Sequence, residues 1–221
     1  MKKTGGHLIV DSLKANGVTR VACVPGESYL AVLDALYESG IETVVCRQEG
    51  GAAMMADTWG RLTGEPGICM VTRGPGASNA LAGVHIAKQD STPMILFVGQ
   101  IALTDRGRGA FQEVDYREVF GGLAKWATEI ESPERTVEVV ERAFATALQG
   151  RMGPVVIALP EDILHADGGP APIRPVTPAK AALDPAFVEQ VRERLAKAEK
   201  ARQFASERLG LPDNRSYRLY A

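Results

Sequence analysis

Short runs of almost uninterrupted apolar and β-branched residues recur along this chain, and helical periodicity fills the gaps between them. The runs are residues 20–24 (RVACV), 43–46 (TVVC), 67–72 (GICMVT), 94–98 (MILFV) and 154–159 (PVVIAL). A strand with one face in water alternates apolar with polar residues. A strand without that alternation is covered on both faces, as in a parallel sheet between two layers of helices. Residues 125–130 read as a further, less apolar strand. Helical patterns cover residues 8–16, ended by Gly17, and 28–39, with Leu30, Leu33, Leu36 and Tyr37 on one face and Gly40 at the end. Residues 50–63 and 77–89 are helices rich in small side chains. Ser132-Pro133-Glu134 opens another helix, with a capping hydroxyl, proline at the first position and an acid at the positive end of the dipole; it runs to about Gly150. Strand–helix alternation with right-handed crossovers predicts an α/β fold: a doubly wound, mostly parallel six-stranded sheet with helices on both faces.

Residues 100–122 read as a long, glycine-containing loop, and long loops in compact domains often carry function. Beyond Pro160 the composition changes. Pro170, Pro172, Pro175 and Pro178 mark residues 165–183 as a linker, which divides a domain over 1–164 from a C-terminal helix and tail over 184–221. Asp184-Pro185 opens that helix. Phe187, Val188, Val191, Leu195 and Ala198 follow helical spacing, and Gly210 with Pro212 ends it. A formal net charge of −2 gives no electrostatic case for nucleic acid or an anionic membrane, and no apolar run approaches the roughly 20 residues of a membrane span. The N-terminus has no signal-type apolar region. Cys23, Cys46 and Cys69 lie far apart in strand-like runs without metal-ligand spacing, and read as buried, reduced thiols of a cytoplasmic protein.

In an open parallel sheet, ligands bind beyond the carboxyl ends of the strands. Three strand ends here are unusual: Val24-Pro25-Gly26-Glu27, Arg47-Gln48-Glu49-Gly50-Gly51-Ala52, and Thr72-Arg73-Gly74-Pro75-Gly76-Ala77-Ser78-Asn79. Taken singly, each glycine is ordinary turn chemistry, and Glu49 is an acid at a helix N-terminus. Three such turns on consecutive strands point to a crevice that admits a flat ligand close to the backbone. They lack both the G-x-G-x-x-G fingerprint and the spacing of a P-loop, which disfavours a nucleotide-binding domain.

These turns, in this order, resemble the N-terminal, pyrimidine-binding domain of the thiamine-diphosphate-dependent enzymes, the acetolactate synthase and pyruvate decarboxylase-like superfamily. The matching segments are VPGESYLAVLDAL, VVCRQEGGAAMMADTWGRLTGEPGICMVTRGPGASNALAGVHIAKQDSTPMILFVGQ, AFQEVD, Lys125-Trp126 and GPVVIALPEDI, spanning about His7 to Ile163. AFQE, Lys125 and the LPEDI ending place the likeness nearest the acetolactate-synthase branch. The resemblance implies that Glu49 is the catalytic acid that hydrogen-bonds N1′ of the cofactor's aminopyrimidine. Held in a dry crevice with a raised pKa, it would favour the tautomer that removes the thiazolium C2 proton. It implies that Pro25, Gly26, Thr72, Pro75, Gly76 and Asn79 line the pyrimidine, and that Phe111 and Gln112 face a small 2-keto acid substrate. Lys125 matches a basic residue near the active-site entrance, with a solvated strand-end lysine as the alternative. Gln48 departs from the family, where many relatives have histidine before the acid, and His85 reads as a packed or interface residue.

The resemblance also implies a second domain that binds Mg²⁺ and the diphosphate through a Gly-Asp-Gly motif and a later asparagine. This sequence contains no Gly-Asp-Gly. The expectation is therefore an enzyme component that completes its site with a diphosphate-binding domain or subunit, as a homo-oligomer that buries the small-residue helices; a need for FAD is left open. The alternative is a non-catalytic dimerising or regulatory module, or a truncated remnant. The tail from Phe204 to Tyr217 resembles the FA-x-E-x-LGLPDN-x-SY segment of predicted bacterial aminopeptidases, without a zinc motif.

Overall fold

Each apolar run becomes a strand of one sheet in the computed structural model, which describes residues 3–179 and 181–198. These residues fall into two units, divided after Ala179. The first unit runs α1 (Gly5–Ala15), β1 (Arg20–Cys23), a 3-10 turn (Glu27–Tyr29) leading into α2 (Leu30–Tyr37), β2 (Glu42–Val45), α3 (Glu49–Thr63), β3 (Gly67–Val71), α4 (Pro75–Asp90) and β4 (Met94–Gln100). It continues through a 3-10 turn (Leu103–Asp105), α5 (Tyr116–Gly121), β5 (Trp126–Glu129), a 3-10 turn (Pro133–Arg135), α6 (Thr136–Leu148), β6 (Pro154–Pro160) and α7 (Glu161–His165). The six strands lie in the order β2-β1-β3-β4-β6-β5. Every pairing is parallel, so the sheet is wholly rather than mostly so. The chain leaves β1 towards β2 on one side and returns to β3 on the other. That reversal opens a crevice at the carboxyl ends of β1 and β3.

The lack of alternation in the central strands has the expected cause, because both sheet faces are covered. Ile68, Met70, Ile95, Phe97, Val155 and Ile157 face a layer that includes Leu13, Val32, Leu36, Val140 and Phe144. The intervening Cys69, Val71, Leu96, Val98, Val156 and Ala158 face Ala52, Ala53, Ala56, Ala80, Val84 and Phe120. Fully burying a side chain such as Phe97 stabilises the fold by about 1.5–3 kcal/mol relative to exposure.

Four details differ from the sequence reading. Strand β2 is an edge strand, with Val45 64% exposed, so its apolar run is not covered on both faces. The inward face of α2 carries Val32 and Leu36, while Leu30 and Tyr37 are 56% and 88% exposed. The 3-10 turn before α2 resets the helical phase, and Tyr29, buried within it, donates its hydroxyl to the Val24 carbonyl at 2.6 Å. Ser132 makes no side-chain cap, because a 3-10 turn again comes first. The loop over 100–122 contains the short helix α5, capped by Asp115 through the Arg117 and Glu118 amides.

Cys23 and Cys69 are buried but Cys46 is only partly so. Burial pushes the Cys23 thiol up to about 11 and raises that of Cys69 as well. A thiol attacks as its thiolate. Iodoacetamide at pH 7.5 is therefore expected to modify Cys46 in the native chain and to spare Cys23 and Cys69 until urea unfolds it. Peptide mass mapping reads the outcome.

The proline-rich segment after α7 lies back along α1. Asp167 bridges to Thr4, the Gly168 amide donates to the Lys3 carbonyl at 3.0 Å, and the Val176 amide donates to Asn16 Oδ1 at 2.8 Å. In the second unit, the Asp184 carboxylate caps α8 (Pro185–Lys197) by accepting from the Ala186 amide at 2.9 Å. The helix ends at Lys197, and Gly210 and Pro212, its expected stop, lie outside the described residues. Phe187, Val188, Val191 and Leu195 are exposed. Among the described residues, no helix is long and apolar enough to cross a membrane.

Candidate active site

Glu49 is the first residue of α3, beside the crevice. Gln48 precedes it in extended conformation and caps the helix, its side-chain oxygen accepting from the Gly51 amide at 2.8 Å. The cap belongs to Gln48, so the Glu49 carboxylate is left for other work at the positive end of the helix dipole. Its Oε2 accepts a hydrogen bond from Asn79 Nδ2 at 2.9 Å, and Asn79 stands on the first turns of α4. The second and third turns are thereby tied together. Glu49 is half-buried.

Thr72 joins the third turn to the first. Its hydroxyl lies 2.8 Å from that of Ser28, which also accepts from the Arg73 amide at 3.4 Å. Both neighbouring glycines are required by close approach. A Cβ on Gly26 would stand 2.4 Å from Thr72 Cβ. One on Gly76 would stand 2.8 Å from Thr72 Cγ2 and 3.4 Å from Glu49 Oε1. Side chains at either position would fill the floor beside the carboxylate. The structure thus brings Gly26, Glu49, Thr72, Gly76 and Asn79 together, with Pro25 and Pro75 exposed on the rims of the same turns.

Phe111 and Gln112 border the third turn. Gly74 has φ 59° and ψ −113°, and a Cβ there would lie 2.8 Å from Gln112 Cβ. Gln112 itself has φ 64°, a left-handed value that costs a residue other than glycine some strain. The Gly74 amide donates to the Tyr116 hydroxyl at 2.7 Å, and burial raises the pKa of that phenol. The side chain of Phe111 is turned outward, with the residue 74% exposed.

Lys125 stands elsewhere, and its expected place near the entrance is corrected. It immediately precedes β5, and its amide donates to the Pro154 carbonyl at 2.7 Å, at the amino end of β6. Its ammonium donates to the Gln149 carbonyl, and burial, with a smaller contribution from Lys88, lowers its pKa. Because β5 runs parallel to its neighbours, its first residue falls at the edge of the sheet opposite Glu49. His85 is exposed on α4, 3.4 Å from Gln89.

Sequence reasoning missed the basic residue that does stand at the crevice. Arg73 is 8% exposed, and its guanidinium donates to Glu27 at 2.5 Å, to Glu161 at 3.4 Å and to the Phe111 carbonyl at 3.2 Å. Its acidic partners are 46 and 88 residues away in the chain, so no local pattern signals the cluster.

Residues 3–119 match the family described as thiamine pyrophosphate enzyme, N-terminal TPP binding domain. Residues 173–221 match a second family, putative aminopeptidase. Over 207 residues the chain is 37% identical to the acetolactate synthase isozyme 2 large subunit of Escherichia coli K12, covering 94% of this chain and 38% of that protein. Over 202 residues it is 35% identical to the acetolactate synthase of Bacillus subtilis 168, covering 91% of this chain and 35% of that one. Over 159 residues it is 40% identical to the probable acetolactate synthase large subunit of Methanocaldococcus jannaschii, covering 72% of this chain and 27% of that protein. The chain spans less than two-fifths of the length of each of these relatives.

Proposed function

Because this chain belongs to the thiamine pyrophosphate enzymes, through their N-terminal TPP binding domain, we propose that its crevice holds the pyrimidine half of thiamine diphosphate in an acetolactate-synthase-type decarboxylase or carboligase that acts on a small 2-keto acid. The observation that carries this reading is the Glu49 carboxylate. It is half-buried at a helix N-terminus, oriented by Asn79, beside a floor kept open by Gly26 and Gly76. The residues present fit a flat aminopyrimidine: one carboxyl to share a proton with ring nitrogen N1′, and backbone and the Thr72 methyl against the ring face.

The cofactor, when bound, supplies the carbanion chemistry at its thiazolium carbon. The chain's own residues bind and orient. Asn79 fixes the Glu49 carboxylate by donating to Oε2, which leaves Oε1 beside the open floor. Gln48 holds the first turn of α3 in register, and Ser28 and Thr72 lock the first turn against the third. The crevice is open on the Asn79 side, so a second domain is needed to exclude water. We assign Mg²⁺ and the diphosphate to that domain, because hard cations take several oxygen ligands and Glu49 is committed elsewhere. Helices α3 and α4 would pack against it or against a second copy, and Met54, Met55 and Leu62 are exposed on α3. The buried thiols suit the reducing cytoplasm.

Calorimetric titration of thiamine diphosphate with Mg²⁺ tests this reading. We expect weak binding to the chain alone, and at least about tenfold tighter binding when the separately produced diphosphate-binding domain of a relative is present, a gain of about 1.4 kcal/mol. Equal heats with and without that domain would leave the non-catalytic module as the better account.

A further inference from the structure

We propose that Arg73 is a positioning residue, a guanidinium fork that pins three chain segments around the crevice and so fixes Phe111 and Gln112 at its mouth. What the mouth receives rests on the function proposed above; the pinning itself does not. Arg73 lies in the third turn, and its side chain is 10% exposed. Nη2 donates to Glu27 of the first turn, Nη1 to Glu161 at the start of α7, and Nε to the Phe111 carbonyl of the long loop. A buried guanidinium is costly unless it is paired, and here it meets two carboxylates and a carbonyl. Its donors point in fixed, coplanar directions, so one side chain can serve three segments at once. An ammonium on a flexible stem cannot reproduce that fork.

The segment over 107–113 depends on this contact. Its other hydrogen bonds among the described residues are largely local, such as the Glu113 amide to the Ala110 carbonyl at 3.0 Å and the Gly107 amide to Glu113 Oε1 at 2.8 Å. Its flanks are fixed independently, by the Leu103 amide on the Asp162 carboxylate and by Gln100 Nε2 on the Val114 carbonyl at 2.8 Å. Arg73 therefore acts on the middle of the loop, where Gln112 is held at positive φ against Gly74. Removing the cation would free the Phe111 carbonyl and leave Glu27 and Glu161 without the charge that draws them together.

Hydrogen exchange followed by mass spectrometry on the full chain tests this, with Arg73→Met and Arg73→Lys beside the parent. We expect amides over 106–115 to exchange about tenfold faster or more in both variants, while β4 and β6 keep the protection of the parent, since local opening is independent of global unfolding. Arg73→Lys is expected to recover the melting temperature but not the loop protection, a split that a merely structural charge would not produce. If Arg73→Met does not fold, Arg73→Lys carries the test. Parent-like exchange over 106–115 in Arg73→Lys overturns the proposal, as does faster exchange spread evenly through β4. Glu49→Gln serves as the separate arm: it should leave loop exchange unchanged whether or not it weakens binding of thiamine diphosphate, so failure of the latch and failure of the ligand reading are distinguishable.

Discussion

Replacing Glu49 with glutamine is expected to lower thiamine-diphosphate-dependent consumption of a 2-keto acid by about a hundredfold or more, the usual worth of a positioned proton-transfer group, when the chain is combined with a diphosphate-binding domain. Glutamine has nearly the same shape, and its amide oxygen can still accept from Asn79. The helix keeps its cap, which belongs to Gln48. What disappears is the ability to share a proton with a ring nitrogen, together with about 0.3–1 kcal/mol of charge–dipole stabilisation at the start of α3. The loss should therefore fall on turnover and barely on melting temperature. Turnover at the level of the parent would remove Glu49 from the reaction.

The second large effect concerns the scaffold under the site. Gly99 lies in β4, and a Cβ there would stand 1.9 Å from Ser28 Oγ and 2.7 Å from Ser28 Cβ. Ser28 cannot rotate away, because its own Cβ is in the way, so the 3-10 turn that carries it must lift. Gly99→Ala is expected to cost about 3 kcal/mol in urea denaturation, at the upper end for overpacking a core. It should also weaken cofactor binding, since lifting Ser28 breaks its contacts with Thr72 and the Arg73 amide. Gly121→Ala is the control: nothing lies within 4 Å of a Cβ at that position. A change within about 0.5 kcal/mol is expected there, the usual range for surface substitutions.

Much of this arrangement was legible before the coordinates. Strands covered on both faces advertise themselves by their lack of alternation, and the runs over 67–72, 94–98 and 154–159 became β3, β4 and β6 within a residue or two. Edge strands are harder to read, because β2 has the same β-branched composition with only one neighbour. Helical phase is also vulnerable. One 3-10 turn ahead of α2 rotated the expected stripe outward, and only the buried Tyr29 ring, tied to Val24, explains the new setting. For the site, the three turns announced Glu49, Gly26, Thr72 and Asn79 because glycine, proline and an acid recur at strand ends. Lys125 was misplaced because a motif match carries no direction along the strand. Arg73 was overlooked because its meaning lies in partners that only the folded sheet brings near.

The proline-rich segment that lies along α1 has a bearing on how such a chain can change. It begins at α7, level with the crevice, beside Lys3 and Thr4, and by Val176 it has reached Asn16, at the foot of the sheet. The polypeptide is thus carried down the flank and released at the end remote from the ligand. Sequence appended past that point can be exchanged, lengthened or recombined with foreign material while the pocket above stays undisturbed. A lineage could rewrite its carboxyl half without first having to reinvent its chemistry.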